Sequence, residues 1–433
     1  MNPSALQGMD SATLQQVRSR DAADVLRDFR SRFALPTRAD GTPLVYLCGH
    51  SLGLMPHAAR TALEQELHDW ANLGVLGHEH AQRPWIPYHE NLRAGLAALS
   101  GAQPGEVVAM NSLTVNLHLM LASFYRPSGR RTRILIEAGA FPSDRHAVAS
   151  QLAWHAEDPH SALLELAPAP GSELVTEAQI EECLQRHGAD IALVLWPGVQ
   201  YRTGQAFDLE RIVRAAHAAG ALAGLDLAHS IGNMPLALHD SGADFAVWCS
   251  YKYLNAGPGA IGGCFIHERH LRQPPPVRLQ GWWGHDVVSR FEMGPEFHAA
   301  AGADAWQISN PPVLAAAPLL ASLQIFQEAR LERLRAKALE LTDFLRQCLE
   351  PLRPAVEIIT PRAPAAHGCQ LSVRIQGDAA RGRRVFERLG ALGVVCDWRA
   401  PDVIRLAAVP LYNSFEDVLV FSAILQQTLQ EVS

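Results

Sequence analysis

The sequence predicts an α/β protein: a large domain built on a mostly parallel sheet, with a smaller α+β domain after it. Three observations carry this expectation. From about Glu106, short near-continuous apolar runs alternate with amphipathic helical runs, the pattern of parallel strands covered on both faces. After Asn310-Pro311-Pro312 the rhythm changes to one long helical region and then to strands mixed with helices. Between the two lies the most distinctive stretch, Trp248 to Gly259 (WCSYKYLNAGPG), where an apolar strand ends in a Gly/Pro-rich turn.

Residues Met1 to Asp40 carry helical spacing with many charges (VRSRDAADVLRDFRSRF) and read as an N-terminal arm or helix. LVYLCG reads as a short strand and GHSLGLMP as a turn ending in a helix start. Leu54 to Leu73 is an amphipathic helix closing at Gly74. GVLGHEHAQRPW is a glycine- and histidine-rich loop, and Trp85 to Ser100 a second helix. The large-domain strands are VVAM, TRILIE, ALLELA, IALVLW, ALAGLD, DFAVWC and AIGGCFI, with helices at Thr114 to Phe124, Ser143 to His155, Thr176 to His187 and Asp208 to Ala219. The long helical region runs to about Leu352. EIIT, CQLSVRI, GVVCDW and VIRLA then alternate with helices Ala379 to Leu392 and Ser414 to Gln430. The expected division is an arm of residues 1–50 that joins the small domain, a large domain of 51–312 and a small domain of 313–433.

Composition narrows the function classes. With 433 residues, 48% hydrophobic and 19% charged, the chain has ample material for a large core. A net charge of −7 without a basic block disfavours a nucleic-acid groove. Seven scattered cysteines without a CxxC pair suit buried thiols in a reducing compartment. No basic patch with an apolar core opens the chain and no long apolar span interrupts it, so the expected location is cytoplasmic, away from membranes.

Only two of the 37 basic Lys and Arg side chains are lysines, Lys252 and Lys337. Lys337 falls in an amphipathic run and reads as a solvated helix position. Lys252 stands at a strand end beside a tight loop. A lysine there either forms a Schiff base with a carbonyl compound or caps a loop carbonyl. ALAGLD ends in Asp226, followed by Ala228, His229 and Ser230. A buried acid needs a cation, and a protonated pyridine nitrogen or a second-rank Arg both qualify. An Asp and a Lys on consecutive strand ends are what a pyridoxal phosphate site requires. Ser112 or Thr114 could cap a helix whose first turn faces a phosphate, although a plain N-cap is the ordinary reading. EAGAFPSDRHA is similar: Phe141-Pro142 makes a turn, Ser143 or Asp144 caps a helix, and the ring could stack on a planar group or pack in the core. Arg405, on a small-domain strand, suits bidentate capture of a carboxylate or is simply a surface Arg. GPGAIG (257–262) satisfies GxGxxG but leads into a strand, and the pairs His78/His80 and His155/His160 lack HExxH or cysteine company, so neither a dinucleotide nor a metal is expected.

Taken together these stretches resemble the kynureninase family, pyridoxal-phosphate hydrolases of the aspartate-aminotransferase-like fold (fold type I). The resemblance runs from CGHSLGL through GHE…RPW, LTVNLH, FPSD, GVQYRTGQ, DLAHSIGN, WCSYKYLNAGPG, GWWGH and ISNPP to RLAAVPLYNS. It implies that Lys252 holds the cofactor covalently, that Asp226 pairs with its ring nitrogen and that His229 lines the same site. Phe141 would stack on the ring, with Pro142, Ser143 and Asp144 close by. Leu113, Thr114 and Tyr251 would meet the phosphate. Trp282 and Asn310 would come from a neighbouring subunit, which implies a homodimer with a shared active site. Arg405 would clamp the substrate α-carboxylate, while His78, Ser51 and Asn310 line the pocket around its aromatic end. The implied reaction is hydrolysis of L-kynurenine or 3-hydroxy-L-kynurenine to an anthranilate and L-alanine, in tryptophan degradation or NAD synthesis, with Tyr251 as the general acid. Two departures stand out: His50 replaces the usual amide of CGNSLG, and Pro197 stands where some members supply a hydroxyl. The alternatives are a cysteine desulfurase-like β-lyase, which needs a mobile nucleophilic Cys where Cys369 reads as structural, and a catalytically silent dimeric binding scaffold.

Overall fold

The computed structural model describes residues 11–271 and 277–432, so the first ten residues of the expected arm lie outside the described residues. After a helix at Ser11–Ala23 and a short strand β1 (Val45–Tyr46), the chain lays down seven strands of one sheet. They are β2 (Val107–Ala109), β3 (Arg133–Glu137), β4 (Leu163–Leu166), β5 (Ile191–Pro197), β6 (Leu222–Asp226), β7 (Phe245–Trp248) and β8 (Gly263–Ile266). Their spatial order is β2-β8-β7-β6-β5-β3-β4. The run from β7 to β4 is parallel, and only β8 opposes its neighbours. Each strand falls on one of the seven apolar runs.

The alternation within those runs decides the layering. Ile134, Ile136, Leu193, Leu195, Phe245 and Val247 face one side, against Leu117, Met120 and Phe124 of helix Leu113–Phe124 and Val148 and Leu152 of helix Pro142–Trp154. Leu135, Val194, Trp196, Ala246 and Trp248 face the other, against helices Glu90–Ser100, Glu177–His187, Leu209–Ala218 and Val313–Ala329. Burying each such Leu, Val or Phe contributes roughly 1.5–3 kcal/mol. Helix Glu177–His187 starts where its sequence signal says: Thr176 and Gln179 close a reciprocal capping box.

Four later strands, β9 (Val356–Ile358), β10 (Gln370–Ile375), β12 (Asp397–Arg399) and β13 (Val403–Ala407), form an antiparallel sheet in the order β12-β13-β10-β9; a short β11 (Val394–Val395) pairs instead with β1. Their core includes Leu345, Val373, Leu389, Leu406 and Phe421, joined by Val17, Val45 and Leu47 from the N-terminal segment. Leu26 and Phe33 of that segment pack on the large core instead.

The expected long helical region after Pro312 is two helices, Val313–Ala329 and Leu331–Leu349, broken at Arg330, whose φ is +64°. The first helix packs with the large core through Leu319, Leu323 and Phe326. The second changes sides along its length: Leu334 and Ala338 belong to the large core, Leu341, Leu345 and Leu349 to the small one. The two cores therefore meet along this second helix.

Lys337 also departs from expectation. It lies on the helix but is buried, and Asp24 meets its ammonium at 2.6 Å. Burial draws the ammonium pKa down, and Asp24 opposes that. Removing one partner leaves the other charged in a dry site. Asp24→Asn is expected to cost about 3 kcal/mol in a urea unfolding titration, and Asp24→Asn with Lys337→Met much less; equal losses in both variants would show the pair to be energetically idle.

Candidate active site

Parallel strands present their carboxyl ends along one edge, where open α/β sheets hold their ligands. Asp226 is the last residue of β6, Pro197 of β5 and Glu137 of β3, and all three line one cleft with Lys252. The register places Pro197 directly beside Asp226. The cleft encloses about 720 Å³, open mouth included. Lys252 arrives on the turn after β7, with its Nζ 3.0 Å from Nε2 of His229 and 5.9 Å from the Phe141 ring centre. Asp226 stays anchored by the Ala228 amide, which donates to Oδ1 at 2.7 Å. The Gly53 amide donates to the Tyr251 carbonyl, and a Cβ on Gly53 would stand 2.3 Å from the Lys252 carbonyl oxygen. Only glycine lets the CGHSLG turn brace the lysine loop this closely.

Two helix starts close the other end. Ser112 precedes helix Leu113–Phe124 without a side-chain cap, and the first-turn residues Leu113 and Thr114 line the cleft. Thr114 Oγ1 and Ser143 Oγ, from the two helix starts, are 2.7 Å apart. Pro142 opens the second helix, and Phe141 before it is 41% exposed, its ring edge-on to Tyr201 at 5.3 Å. Expected residues Leu113, Thr114, Phe141, Ser143, Asp144, Asp226, His229, Tyr251 and Lys252 thus share one cleft.

Arg405 reaches this edge from β13 and is almost wholly buried. Its Nη1 donates to the Tyr201 carbonyl at 2.8 Å and its Nη2 to Ser51 Oγ at 3.1 Å. Nη2 also pairs with Asp397, and burial draws the guanidinium down to about 10, so it remains cationic at neutral pH. Tyr201, which lines the cleft, joins Arg405 to it. Three expected residues lie elsewhere in the single chain. His78 and Asn310 line a separate cleft with Trp70, Trp85 and Trp283. Trp282 is 48% exposed, with its indole N–H bonded to the Arg290 carbonyl.

The dry cleft sets the protonation states. Burial and then the neighbouring Asp226 push the Asp144 carboxyl well up, with Lys252 opposing. Burial, reinforced by Lys252 and Arg405, holds His229 well below its ordinary value, so its imidazole is neutral. Burial likewise raises the Tyr251 phenol and keeps its proton on. His50 is fully buried and neutral for the same reasons as His229. Glu137, Tyr201 and Asp397 were missed by the sequence reading. Glu137 had a legible signal, since it ends TRILIE just as Asp226 ends ALAGLD; Asp397 had none, because only the β12–β13 register brings it opposite Arg405.

Burial raises the Glu137 carboxyl to about 8 from its ordinary 4.5, with Gln200 opposing, and its Oε2 has no hydrogen-bond partner. The native state then holds this proton where the unfolded chain has lost it, so stability falls as pH rises between those two values. Glu137→Gln cannot ionise and is expected to flatten the fall between about pH 5 and 8, by up to roughly 1 kcal/mol per pH unit. Thermal unfolding across that range checks it; superimposable profiles for the two proteins would refute the buried proton.

The kynureninase C-terminal domain profile matches residues 334–425. The kynureninase of Xanthomonas euvesicatoria pv. vesicatoria (strain 85-10) is 56% identical over 402 residues, 93% of this chain and 95% of that protein. The kynureninase of Xanthomonas campestris pv. campestris (strain B100) is 55% identical over 399 residues, 92% and 94% of the two chains. Among solved structures, the cystine C–S lyase C-DES in complex with cysteine persulfide superposes with a TM-score of 0.75 at 21% identity, covering 89% of this chain and 97% of that one. The cysteine desulfurase CsdA of Escherichia coli gives 0.75 at 17% identity, covering 94% and 99%. These last two share the fold. With more than half its residues identical over nearly the full length of both relatives, the chain belongs to the kynureninase family, pyridoxal-phosphate-dependent hydrolases that cleave a carbon–carbon bond.

Proposed function

We propose that the chain hydrolyses L-kynurenine and 3-hydroxy-L-kynurenine at the Cβ–Cγ bond, giving L-alanine and the corresponding anthranilate, as a homodimer in the cytoplasm. The observation that carries this reading is a primary amine, a carboxylate and an aromatic face in one cleft, with a buried guanidinium joined to that cleft through Tyr201.

Pyridoxal phosphate fits the groups present. Lys252 would hold its aldehyde carbon and Asp226 its ring nitrogen. Phe141 would cover one face, and the first-turn amides at Leu113 and Thr114 with the Ser143 hydroxyl would receive the phosphate. His229 Nδ1 and Asp144 Oδ1 are buried in the cleft without protein partners, as polar groups awaiting a ligand are. Bound there, the cofactor supplies an electron sink for carbanion chemistry. The chain's own groups supply the rest. Arg405 would orient the α-carboxylate, and Lys252 Nζ, once the substrate amine has taken its place, would take the Cα proton. Hydrolysis gives Cγ the hydroxyl of water and Cβ a proton; Tyr251, whose phenol stays protonated, is the donor.

The dimer rests on incompleteness. His78 and Asn310 sit in their own cleft with exposed Trp70 and Leu314, and Trp282 meets exposed Phe291 edge-on. Apolar surface of that extent suits burial against a second copy. There these residues would complete the neighbour's cleft around the substrate ring. All seven thiols are unpaired, which suits a reducing compartment, and among the described residues no helix is long and apolar enough to cross a membrane. The product anthranilate suits either tryptophan degradation or NAD synthesis. The β-lyase alternative is disfavoured by Cys369, buried in the core with its thiol pushed up to about 12.

The purified protein is expected to release a fluorescent anthranilate from both kynurenines; inertness towards both would overturn the reading. Tyr251→Phe should keep the bound cofactor's absorbance while losing roughly 100-fold or more in kcat. Normal turnover in that variant would remove Tyr251 from the acid role. Mixing inactive Lys252→Ala and His78→Ala chains should restore about a quarter of normal activity if each site draws on both subunits, since random pairing leaves half the dimers mixed, each with one intact site. No restoration would confine His78 to its own chain's site.

A further inference from the structure

The guanidinium of Arg405 already holds a carboxylate, and it belongs to the protein. Asp397 stands directly across the β12–β13 ladder from Arg405. Its Oδ2 collects three groups: Nη2 of Arg405, the Ser51 hydroxyl at 3.0 Å, and Arg399 through Nε and Nη2 at 3.2 and 2.9 Å. That is a carboxylate-binding cradle seen with a carboxylate in it.

The donor count shows what the arrangement forbids. A guanidinium offers a carboxylate two planar forks, Nη1 with Nη2 or Nε with Nη2, and both use Nη2. Nη2 donates to Ser51 and is also held against the Asp397 carboxylate, while Nη1 gives one hydrogen to the Tyr201 carbonyl and Nε has no partner. A carboxylate arriving by either fork therefore meets Asp397 at Nη2. Asp397, in contrast, has somewhere to go. Arg399 already touches the same oxygen, and it is 35% exposed where Arg405 is 1% exposed. A carboxylate released from the buried cation passes to one nearer solvent without losing its ion pair.

We propose that Asp397 is an internal surrogate for the substrate: it occupies Nη2 of Arg405 in the empty site and is exchanged onto Arg399 when the α-carboxylate of the amino acid arrives. This rests on the reading that Arg405 binds that carboxylate. The exchange leaves no carboxylate unpaired: two guanidinium cations share one carboxylate before it and hold one each after it. It also makes the site selective: an amine without a carboxylate has nothing to put in place of Asp397.

The test uses the cofactor-loaded enzyme and L-alanine, the proposed product, as a non-reacting probe, followed by calorimetry and by the change in cofactor absorbance. Asp397→Asn keeps the shape and loses the charge. With the competitor weakened, L-alanine is expected to bind roughly three- to tenfold tighter and KM for L-kynurenine to fall by a similar factor. Weaker or unchanged L-alanine binding would overturn the exchange and leave Asp397 as a fixed support for Arg405. Should Asp397→Asn not fold, Arg399→Gln answers the same question: with no second cation to receive the displaced carboxylate, L-alanine binding should weaken by a comparable factor, and unchanged binding would overturn the proposal. Arg405→Gln separates the two levels. If L-alanine binding ignores that change, the carboxylate-binding reading of Arg405 itself is wrong, and the exchange falls with it.

Discussion

A charged group in a dry cleft must find a counter-charge or give up its charge, and that constraint organises this molecule's working edge. Asp226, Asp144 and Glu137 face the same space, and three carboxylates cannot all ionise there. The resolution is a division of labour. Asp144 and Glu137 keep their protons, raised by burial and, for Asp144, by its neighbour's charge. Neutral His229 beside Lys252 follows the same logic, since a second cation next to the amine would be repelled.

The fold supplies this edge cheaply. A parallel sheet covered on both faces ends all its strands at one rim, so acids from β3 and β6 and the lysine loop after β7 converge without long-range folding back. The substrate end is different in kind. Arg405 stands on β13 of the antiparallel sheet, Tyr201 follows β5 of the parallel one, and Ser51 lies in the turn before helix His57–Leu73. The place of Arg405 beside the cleft therefore depends on how two hydrophobic cores are set against each other. Helix Leu331–Leu349, which packs on both cores, and the buried Lys337–Asp24 pair on it fix that setting.

Sequence patterning reached far into this fold because the signals were local. All seven sheet strands were legible as apolar runs, and the helix starts at Thr176 and Ser414 carried their own caps. Lys252 and Asp226 were legible because each ends an apolar run, and because lysine is so scarce here. Lys337 was misjudged for the same kind of reason. An amphipathic helix reads as solvated on its polar face, and nothing local announces that Asp24, over three hundred residues earlier, covers it.

The sequence by itself determined which segments are strands and helices, which residues stand at strand ends, and which family motifs recur in order, because those are matters of periodicity and neighbours along the chain. Tertiary structure alone decided that Glu137 and Asp144 keep their protons, that Arg405 is held by Asp397, and that His78 and Asn310 lie apart from Lys252 within one chain. Those depend on which groups meet in space and how much water is left between them, and neither quantity has a period.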